Sequence, residues 1–198
     1  TVPISIDTRK AAVARAAVSA GADLINDVSG LRDDPALAEL CAAERLPVVI
    51  MHMRGTPSTM QRAPHYDDAV AEVRSELADL VRTAKQYGVC DDQIIVDPGI
   101  GFGKRFSDNM DLINGIESLR ELGYPVLIGM SRKAFLGAIG AKTPNDPLPA
   151  DERLAPTLAA TVIAILKGAD ILRVHDVTET VRVVRTVGAF RERAATRQ

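Results

Sequence analysis

Short aliphatic runs alternate along the whole chain with longer segments of helical period, and this alternation restricts the fold more than any other feature. The predicted strands lie at 4–6, 24–25, 48–51, 94–96, 126–128 and 171–174. The predicted helices lie near 10–20, 35–44, 67–87, 108–122, 154–167 and 179–193. Strands and helices that alternate at such spacing form βαβ units around a parallel sheet, so we expect an α/β fold.

Polar residues follow the predicted strands, and their distribution separates two α/β architectures. A doubly wound sheet gathers its site at one switch point, whereas a (β/α)₈ barrel draws on the carboxyl ends of many strands. Here the ends of all six predicted strands carry polar residues, among them Asp7, Asn26, His52, Asp97, Ser131 and Arg173. The sequence therefore predicts a (β/α)₈ TIM barrel in a single domain, residues 1–198. Six units do not close such a barrel, so we expect these to be strands 3 to 8 and the first two units to be absent.

Composition excludes several classes of partner. The 24 basic and 26 acidic residues give a net charge of −2, which offers no electrostatic footprint for nucleic acid or an anionic membrane. No apolar run approaches the roughly 18 residues of a membrane span. Cys41 and Cys90 form neither a disulfide framework nor a CxxC pair, which favours reduced thiols in a cytosolic protein.

Carboxylate and amide side chains at the strand ends point to one kind of ligand. Asp7, Asn26 and Asp97 each follow an aliphatic strand, although each residue type is also common in turns. Held at a dry rim, they match the donor and acceptor edge of a planar heterocycle. General acid/base chemistry and a metal stay open as alternatives, but no His, Asp or Glu cluster has ligand spacing, so no residue is assigned to a metal.

The glycine-rich segment at 99–104 fits neither the dinucleotide pattern nor the Walker pattern. We expect a loop whose glycines let the backbone approach a ligand, with Phe102 as a hydrophobic lid. His52 lies within an apolar run, which predicts a core histidine with its hydrogen bonds satisfied.

Cationic and hydroxyl side chains cluster near the last two predicted strands, where barrels commonly bind phosphate. Ser131 and Lys133 open a helix, and Arg173 alternates with His175 on one strand face. This set predicts a phosphorylated or pyrophosphorylated ligand. Asp176 and Glu179 have the spacing of a helix capping box.

Six segments together resemble the dihydropteroate synthase family over nearly the whole chain. They are Ile-Ser-Ile-Asp-Thr at 4–8, Ile-Asn-Asp-Val-Ser-Gly at 25–30, Met-His-Met-Arg-Gly-Thr-Pro-Ser-Thr-Met-Gln at 51–61, Asp-Pro-Gly-Ile-Gly-Phe-Gly-Lys at 97–104, Gly-Met-Ser-Arg-Lys at 129–133 and Arg-Val-His-Asp-Val at 173–177. The resemblance implies a cytoplasmic homodimeric barrel. It implies condensation of 6-hydroxymethyl-7,8-dihydropterin pyrophosphate with p-aminobenzoate, assisted by Mg²⁺, with sulfonamides competing for the p-aminobenzoate site.

The resemblance also implies residue roles. Asp7, Asn26 and Asp97 hold the pterin edge, with Met51 in the pocket wall. Lys133 contacts the pterin, Arg173 and His175 hold the pyrophosphate, and Phe102 lies near the reacting methylene. Gly129 and Ser131 complete the substrate-binding set, and the residues assigned to catalysis are Lys133, Arg173 and His175.

Two departures from the family pattern bear on activity. The first two βα units carry loops that cover the site and contact the metal, and we expect this chain to lack them. Ala134 stands where many relatives have Ser or Arg, which removes a contact to the p-aminobenzoate carboxylate. The alternatives are a non-catalytic or truncated pterin-binding barrel and the pterin-binding domain of a corrinoid-dependent methyltransferase.

Overall fold

The computed structural model describes residues 2–143 and 146–196. Its strands are β1 (Ser5–Asp7), β2 (Leu24–Asp27), β3 (Val48–Met51), β4 (Ile94–Asp97), β5 (Leu127–Ile128) and β6 (Ile171–Leu172). The first four form one parallel sheet in chain order, and β5 pairs with β6 in a second. A parallel bridge between Val96 and Val126 joins the two sheets. The strands thus follow one another in chain order, as in part of a (β/α) barrel.

Helices connect consecutive strands, as the alternation in the sequence predicts. They are α1 (Ala11–Ser19), α2 (Pro35–Ala43), α3 (Ala69–Gln86), α4 (Phe106–Asn114), α5 (Ile116–Arg120), α6 (Ala134–Gly140), α7 (Leu154–Leu166) and α8 (Val177–Ala195). Asp34 caps α2 by accepting from the Ala36 N–H, and Asp68 caps α3 by accepting from two N–H groups.

The core lies between the sheet and the helices. It is aliphatic, because only 4% of residues are aromatic. Residues of β3 and β4 such as Val48, Ile50 and Val96 are fully buried and pack against Leu37 of α2 and Leu77 of α3. Strands buried on both faces hold their carboxyl ends rigidly, which is what a site built on strand ends needs.

Three local predictions differ from the structure. The predicted strand at 171–174 ends at Leu172, so Arg173 and His175 follow β6 and do not alternate along a strand. The predicted helix at 108–122 is two helices, α4 and α5, which meet at Gly115, where a Cβ atom would lie 2.7 Å from the Val70 side chain. The capping box predicted for Asp176 is wrong, because its side chain makes no cap hydrogen bond. Asp176 instead accepts from the Arg132 guanidinium, with Nε at 3.0 Å from one carboxylate oxygen.

Within the described residues, no helix combines the length and the apolar character that crossing a membrane requires. The longest, α8, has 19 residues and carries charged side chains along its length.

Candidate functional site

One face of the parallel sheet encloses a central cavity of about 400 Å³. Ser5, Leu24, Val49 and Ile95 line it, one residue from each of the first four strands. Side chains two residues apart on a strand share a face. The next residues on that face, at the carboxyl ends of the strands, are therefore Asp7, Asn26, Met51 and Asp97.

Asp7, Asn26 and Asp97 leave part of their hydrogen-bonding capacity unused. Asp7 and Asn26 are register partners, and the Asn26 Nδ2 donates to Asp7 Oδ1 at 2.8 Å. Asp97 Oδ1 accepts from the Gly99 N–H at 2.7 Å. The amide oxygen of Asn26, Oδ1, and the second carboxylate oxygen of Asp97, Oδ2, are buried and have no hydrogen-bond partner in the described part of the chain. Buried polar atoms are rarely left unpaired, so these two mark a place for a ligand donor.

The Asp97 carboxyl is 1% exposed, and this burial raises its pKa. The Gly99 N–H and the charges of Arg173 and Lys133 act in the opposite direction. Arg173 NH2 lies 3.9 Å from Asp97 Oδ2, which is an ion-pair distance but too long for a hydrogen bond. The carboxylate is therefore held by charge while its second oxygen remains free to accept from a ligand.

The glycine-rich segment 99–104 forms the loop after β4. Gly99, Gly101 and Gly103 all have positive φ, between 62° and 80°. A Cβ atom on Gly99 would lie 2.0 Å from the His52 carbonyl oxygen, so only glycine fits there. The loop places the Phe102 ring at the edge of a second cavity.

The Lys133 side chain contacts this loop from the side of the second cavity. Its Nζ donates to the Ile100 carbonyl and lies 4.2 Å from the centre of the Phe102 ring, a cation–π distance. Burial lowers the pKa of Lys133 to about 8, against the attraction of Asp97. The ammonium is thus a partly desolvated cation at the rim of the second cavity.

The second cavity, of about 340 Å³, gathers the predicted anion-binding residues. Asp7, Phe102, Gly129, Ser131, Lys133, Arg173 and His175 all line it. The Ser131 hydroxyl contacts His175 Nδ1 at 2.9 Å and accepts from the His175 backbone N–H at 3.2 Å. These contacts fix the imidazole ring beside the two cations.

Arg173 connects the two cavities, because it lines both. Its side chain lies across Gly129, where a Cβ atom would meet the guanidinium at 2.9 Å. Its guanidinium also lies 3.9 Å from Asp7 and 3.9 Å from Asp97. The residues predicted to bind the heterocycle and those predicted to bind the anion therefore lie in one continuous region.

Arg132 has a structural role, in contrast to its neighbour Lys133. Its guanidinium is paired with Asp176, and its carbonyl accepts from Arg153 at 2.9 Å. This pairing accounts for one of the two cations at the start of α6 and leaves Lys133 facing the site.

Comparison with known proteins identifies the family. The pterin-binding enzyme family matches residues 1–175. The chain belongs to this family. It is 43% identical over 189 residues to the dihydropteroate synthase of Synechocystis, an alignment that covers 96% of this chain and 64% of that enzyme. The chain therefore spans slightly less than two thirds of that relative's length.

Two solved structures show how closely the fold of this pterin-binding enzyme matches its relatives. Dihydropteroate synthase from Xanthomonas albilineans in complex with 7,8-dihydropteroate is 42% identical with a TM-score of 0.87, over 96% of this chain and 67% of that one. The Yersinia pestis enzyme in a sulfonamide drug complex is 38% identical with a TM-score of 0.90, over 97% and 68%. The fold is therefore that of the dihydropteroate synthase TIM barrels, as the sequence predicts.

Eight of the ten predicted site residues of this pterin-binding enzyme line one or both cavities. Asp97 and Met51 line neither. Asp97 is the buried carboxylate 3.9 Å from Arg173. Met51 is fully buried and is the register partner of Asp97. Its role in the pocket wall stays a prediction, as do the roles of the other nine.

Sequence reasoning missed Lys104. This side chain is 4% exposed and contacts His52 directly beneath the glycine-rich loop. The available signal was its place at the end of that loop, but a lysine there is ordinarily solvated. His52 is buried and has a partner for each ring nitrogen, which confirms the prediction of a satisfied core histidine.

No group of three or more His, Cys, Asp or Glu side chains that could hold a metal ion occurs among residues 2–143 and 146–196. These residues therefore supply no group of three protein ligands, and a Mg²⁺ ion here would depend on substrate phosphates and water for most of its ligands.

Proposed function

We propose that this chain carries the pterin and pyrophosphate site of a dihydropteroate synthase. The reaction condenses 6-hydroxymethyl-7,8-dihydropterin pyrophosphate with p-aminobenzoate to give dihydropteroate and pyrophosphate. The observation that carries the proposal is the pair of buried, unpartnered oxygens, Asn26 Oδ1 and Asp97 Oδ2, next to the cations Lys133 and Arg173.

The unpartnered oxygens suit the pterin half of the substrate. The pyrimidine ring of a pterin presents amino and ring N–H donors along one edge. Asp97 Oδ2 and Asn26 Oδ1 are acceptors only, so they complement donors and not further acceptors. A charge-assisted hydrogen bond to a carboxylate that is 1% exposed is stronger than one made in water.

The cations suit the pyrophosphate half. In the proposed step the p-aminobenzoate nitrogen forms a bond to the pterin methylene carbon, while the carbon–oxygen bond breaks and its electron pair leaves with pyrophosphate. The amine then releases a proton to solvent. Negative charge grows on the leaving oxygen, and fixed cations such as Lys133 and Arg173 stabilise that charge. An aromatic amine is nucleophilic without a strong general base. The side chains that line the second cavity therefore need only bind and stabilise the pyrophosphate.

Mg²⁺ belongs to the proposal only through the resemblance to the family. When bound it would neutralise charge on the pyrophosphate, but the described residues do not form a ligand set for it. In the proposed step, the side-chain cations Lys133 and Arg173 supply the charge stabilisation. The homodimer, the cytoplasmic location and competition by sulfonamides at the p-aminobenzoate site also belong to the proposal.

The proposal is tested by measuring dihydropteroate formation and substrate binding with Arg173→Ala and a matched control. Arg173→Ala should abolish most affinity for the pterin pyrophosphate and lower turnover, because it removes a charged contact worth about 1.5–3 kcal/mol. The control is Arg182→Ala, since Arg182 is exposed on α8 and lines neither cavity. Equal affinity for the pterin pyrophosphate in both variants would contradict the assignment.

The two alternatives are separated by titrating ligands with and without pyrophosphate. A corrinoid-dependent methyltransferase domain would bind a methyl-folate and gain nothing from pyrophosphate. A non-catalytic barrel would bind the pterin pyrophosphate without forming dihydropteroate. The synthase alone both binds the pyrophosphorylated pterin more tightly than the free pterin and turns it over.

A further inference from the structure

A series of side-chain contacts lies beneath the glycine-rich loop, and it begins and ends at a backbone carbonyl of that loop. Lys104 Nζ donates to the Phe102 carbonyl at 3.0 Å and to His52 Nδ1 at 2.9 Å. His52 Nε2 contacts Glu76 at 2.9 Å. Glu76 in turn accepts from Arg54 Nε at 2.9 Å.

The chain of contacts then returns to the loop. The Arg54 guanidinium lies 4.1 Å from the centre of the Tyr66 ring, and the Tyr66 hydroxyl donates to the Gly103 carbonyl at 3.1 Å. Neighbouring carbonyls of the loop are therefore held from below by two routes, one through Lys104 and one through Tyr66. None of the side chains in either route lines the two cavities.

The chemistry of these groups fixes the histidine tautomer. A lysine ammonium can only donate and a carboxylate can only accept. His52 Nδ1 must therefore be the acceptor from Lys104, and His52 Nε2 must carry the proton that it donates to Glu76. Burial lowers the pKa of His52 to about 4, so the ring stays neutral at physiological pH. Burial lowers the pKa of Lys104 to about 7, against the attraction of Asp97, so below that pH Lys104 is the cation in contact with His52.

Lys133 and Lys104 each donate a hydrogen bond to a backbone carbonyl of this loop, from opposite sides. Lys133 donates to the Ile100 carbonyl and lies over the Phe102 ring on the cavity side. Lys104 holds the Phe102 carbonyl on the buried side. The three loop glycines have positive φ and no side chains of their own, so they supply no rigidity.

We propose that Lys104 is the positioning residue of the 99–104 loop, and that through the Phe102 carbonyl it sets where the Phe102 ring and the Lys133 ammonium lie in the site. The consequence for turnover rests on the proposed function. The consequence for the loop does not, and it can be measured without substrate.

A matched pair of His52 variants tests the direction of the network. Asn in place of His52 keeps an acceptor near the Nδ1 position, facing Lys104. Gln in place of His52 keeps a donor near the Nε2 position, facing Glu76. His52→Asn leaves the larger gap in the core, because Asn is one methylene shorter than Gln, so a merely structural role predicts the greater loss for His52→Asn. If Lys104 positions the loop, His52→Asn retains at least about tenfold more turnover than His52→Gln, since small displacements in a site cost large factors in rate.

Two measurements without substrate accompany this comparison. The Phe102 backbone N–H donates to Gly99 within the loop, and its hydrogen exchange should be faster in His52→Gln than in His52→Asn. The chain has only three histidines, so ring ¹⁵N spectra resolve His52. Lys104→Met should shift the His52 Nδ1 signal toward that of an acceptor without a hydrogen bond. The control Lys85→Met removes a surface lysine paired with Asp91 and should leave this signal unchanged.

The outcomes separate this inference from the proposed function. If no dihydropteroate forms in any protein, including one extended at its N-terminus by the two absent βα units, but exchange and ¹⁵N shifts behave as stated, the synthase assignment fails and the positioning role stands. If His52→Gln equals or exceeds His52→Asn in both turnover and loop protection, Lys104 does not position the loop. An unchanged His52 signal in Lys104→Met also overturns the inference.

Discussion

At the scale of single residues, the site contains a carboxylate whose environment opposes its charge. Asp97 is almost fully buried, keeps one oxygen unpaired, and has a pKa raised by that burial. An unsatisfied buried group costs free energy that a ligand donor can recover on binding. The buried carboxylate therefore lowers the stability of the fold but favours the binding of a ligand donor.

We expect Asp97→Asn to weaken binding and strengthen the fold. Affinity for the pterin pyrophosphate should fall about 10- to 100-fold, since a charge-assisted hydrogen bond contributes about 1.5–3 kcal/mol. The free energy of unfolding at pH 7 should rise by about 1 kcal/mol or more, because the ionised group is no longer buried. Calorimetric titration and urea unfolding measure the two effects.

The pH dependence supplies a check on the same variant. A carboxyl with a raised pKa destabilises the fold where it is ionised, so the gain in stability should disappear as pH falls toward 4 and Asp97 takes up its proton. Asp92→Asn, at an exposed position paired with Arg45, is the control. A stability loss at pH 7 in Asp97→Asn would contradict this account.

Lys133 predicts a pH dependence of anion binding. Its pKa is lowered to about 8 by burial, so its charge is lost as pH rises through that value. Affinity for sulfate, whose own charge is constant in this range, should fall about tenfold between pH 7 and 9 as a charged contact is lost. Lys133→Met should bind weakly and show a flatter profile. A wild-type profile as flat as that of the variant would place the anion elsewhere.

The linked effect on folding has the opposite sign. An unfolded lysine keeps its proton up to a pKa near 10.5, whereas folded Lys133 loses it above about 8. The unfolded chain then binds more protons, so this group makes the protein more stable as pH rises between those values. Unfolding free energies of wild type and Lys133→Met should therefore converge toward pH 10.

Residues at the site were predictable to different degrees. Asp7, Asn26 and Asp97 follow aliphatic runs directly, so strand periodicity alone places them at the sheet edge. Lys104 could not be found this way, because its burial depends on His52, 52 positions earlier, and on Glu76 of α3. The unpaired oxygens of Asn26 and Asp97 depend likewise on contacts between strands, which a single sequence does not display.

At the scale of elements, strand and helix positions follow from periodicity, and their ends follow from local contacts. The predicted helices at 10–20 and 35–44 match α1 and α2 to within one residue at each end. The division between α4 and α5 falls at Gly115, which packs against Val70 of α3, a contact between two elements that helical period alone does not show. The capping prediction for Asp176 failed for the same reason, since Arg132 competes for its carboxylate.

The loop after β4 allows its glycine requirement to be measured. Gly99→Ala places a Cβ atom 2.0 Å from a backbone oxygen, whereas a Cβ atom on Gly123 meets nothing within 4 Å. Both glycines have positive φ, so both variants carry a strain of about 1–2 kcal/mol. Gly99→Ala should cost clearly more than Gly123→Ala in urea unfolding and should also lower pterin affinity. Equal losses of unfolding free energy would show that the His52 backbone moves to make room for the added Cβ atom.

At the scale of the whole molecule, the six strands form an incomplete ring. β1 and β6 are its two ends, and no strand pair joins them among the described residues. The Arg173 side chain, which follows β6, lies 3.9 Å from Asp7 at the end of β1. Ile4 beside β1 is 58% exposed, and the central cavity is lined by apolar side chains that include Leu127 and Ile171.

Unpaired strand edges and exposed apolar side chains predict how a polypeptide limited to residues 1–198 behaves. Ladder groups at β1 and β6 should pair with other chains, so the polypeptide should associate with increasing concentration in sedimentation and should bind a hydrophobic dye. Extension at its N-terminus by two βα units taken from a relative should suppress both effects and raise the unfolding temperature. Turnover should rise as well, because Asp7 of the edge strand β1, beside which the added units would lie, lines the second cavity. A monomeric, dye-free polypeptide with turnover of about 1 s⁻¹ or more would show that the six units suffice.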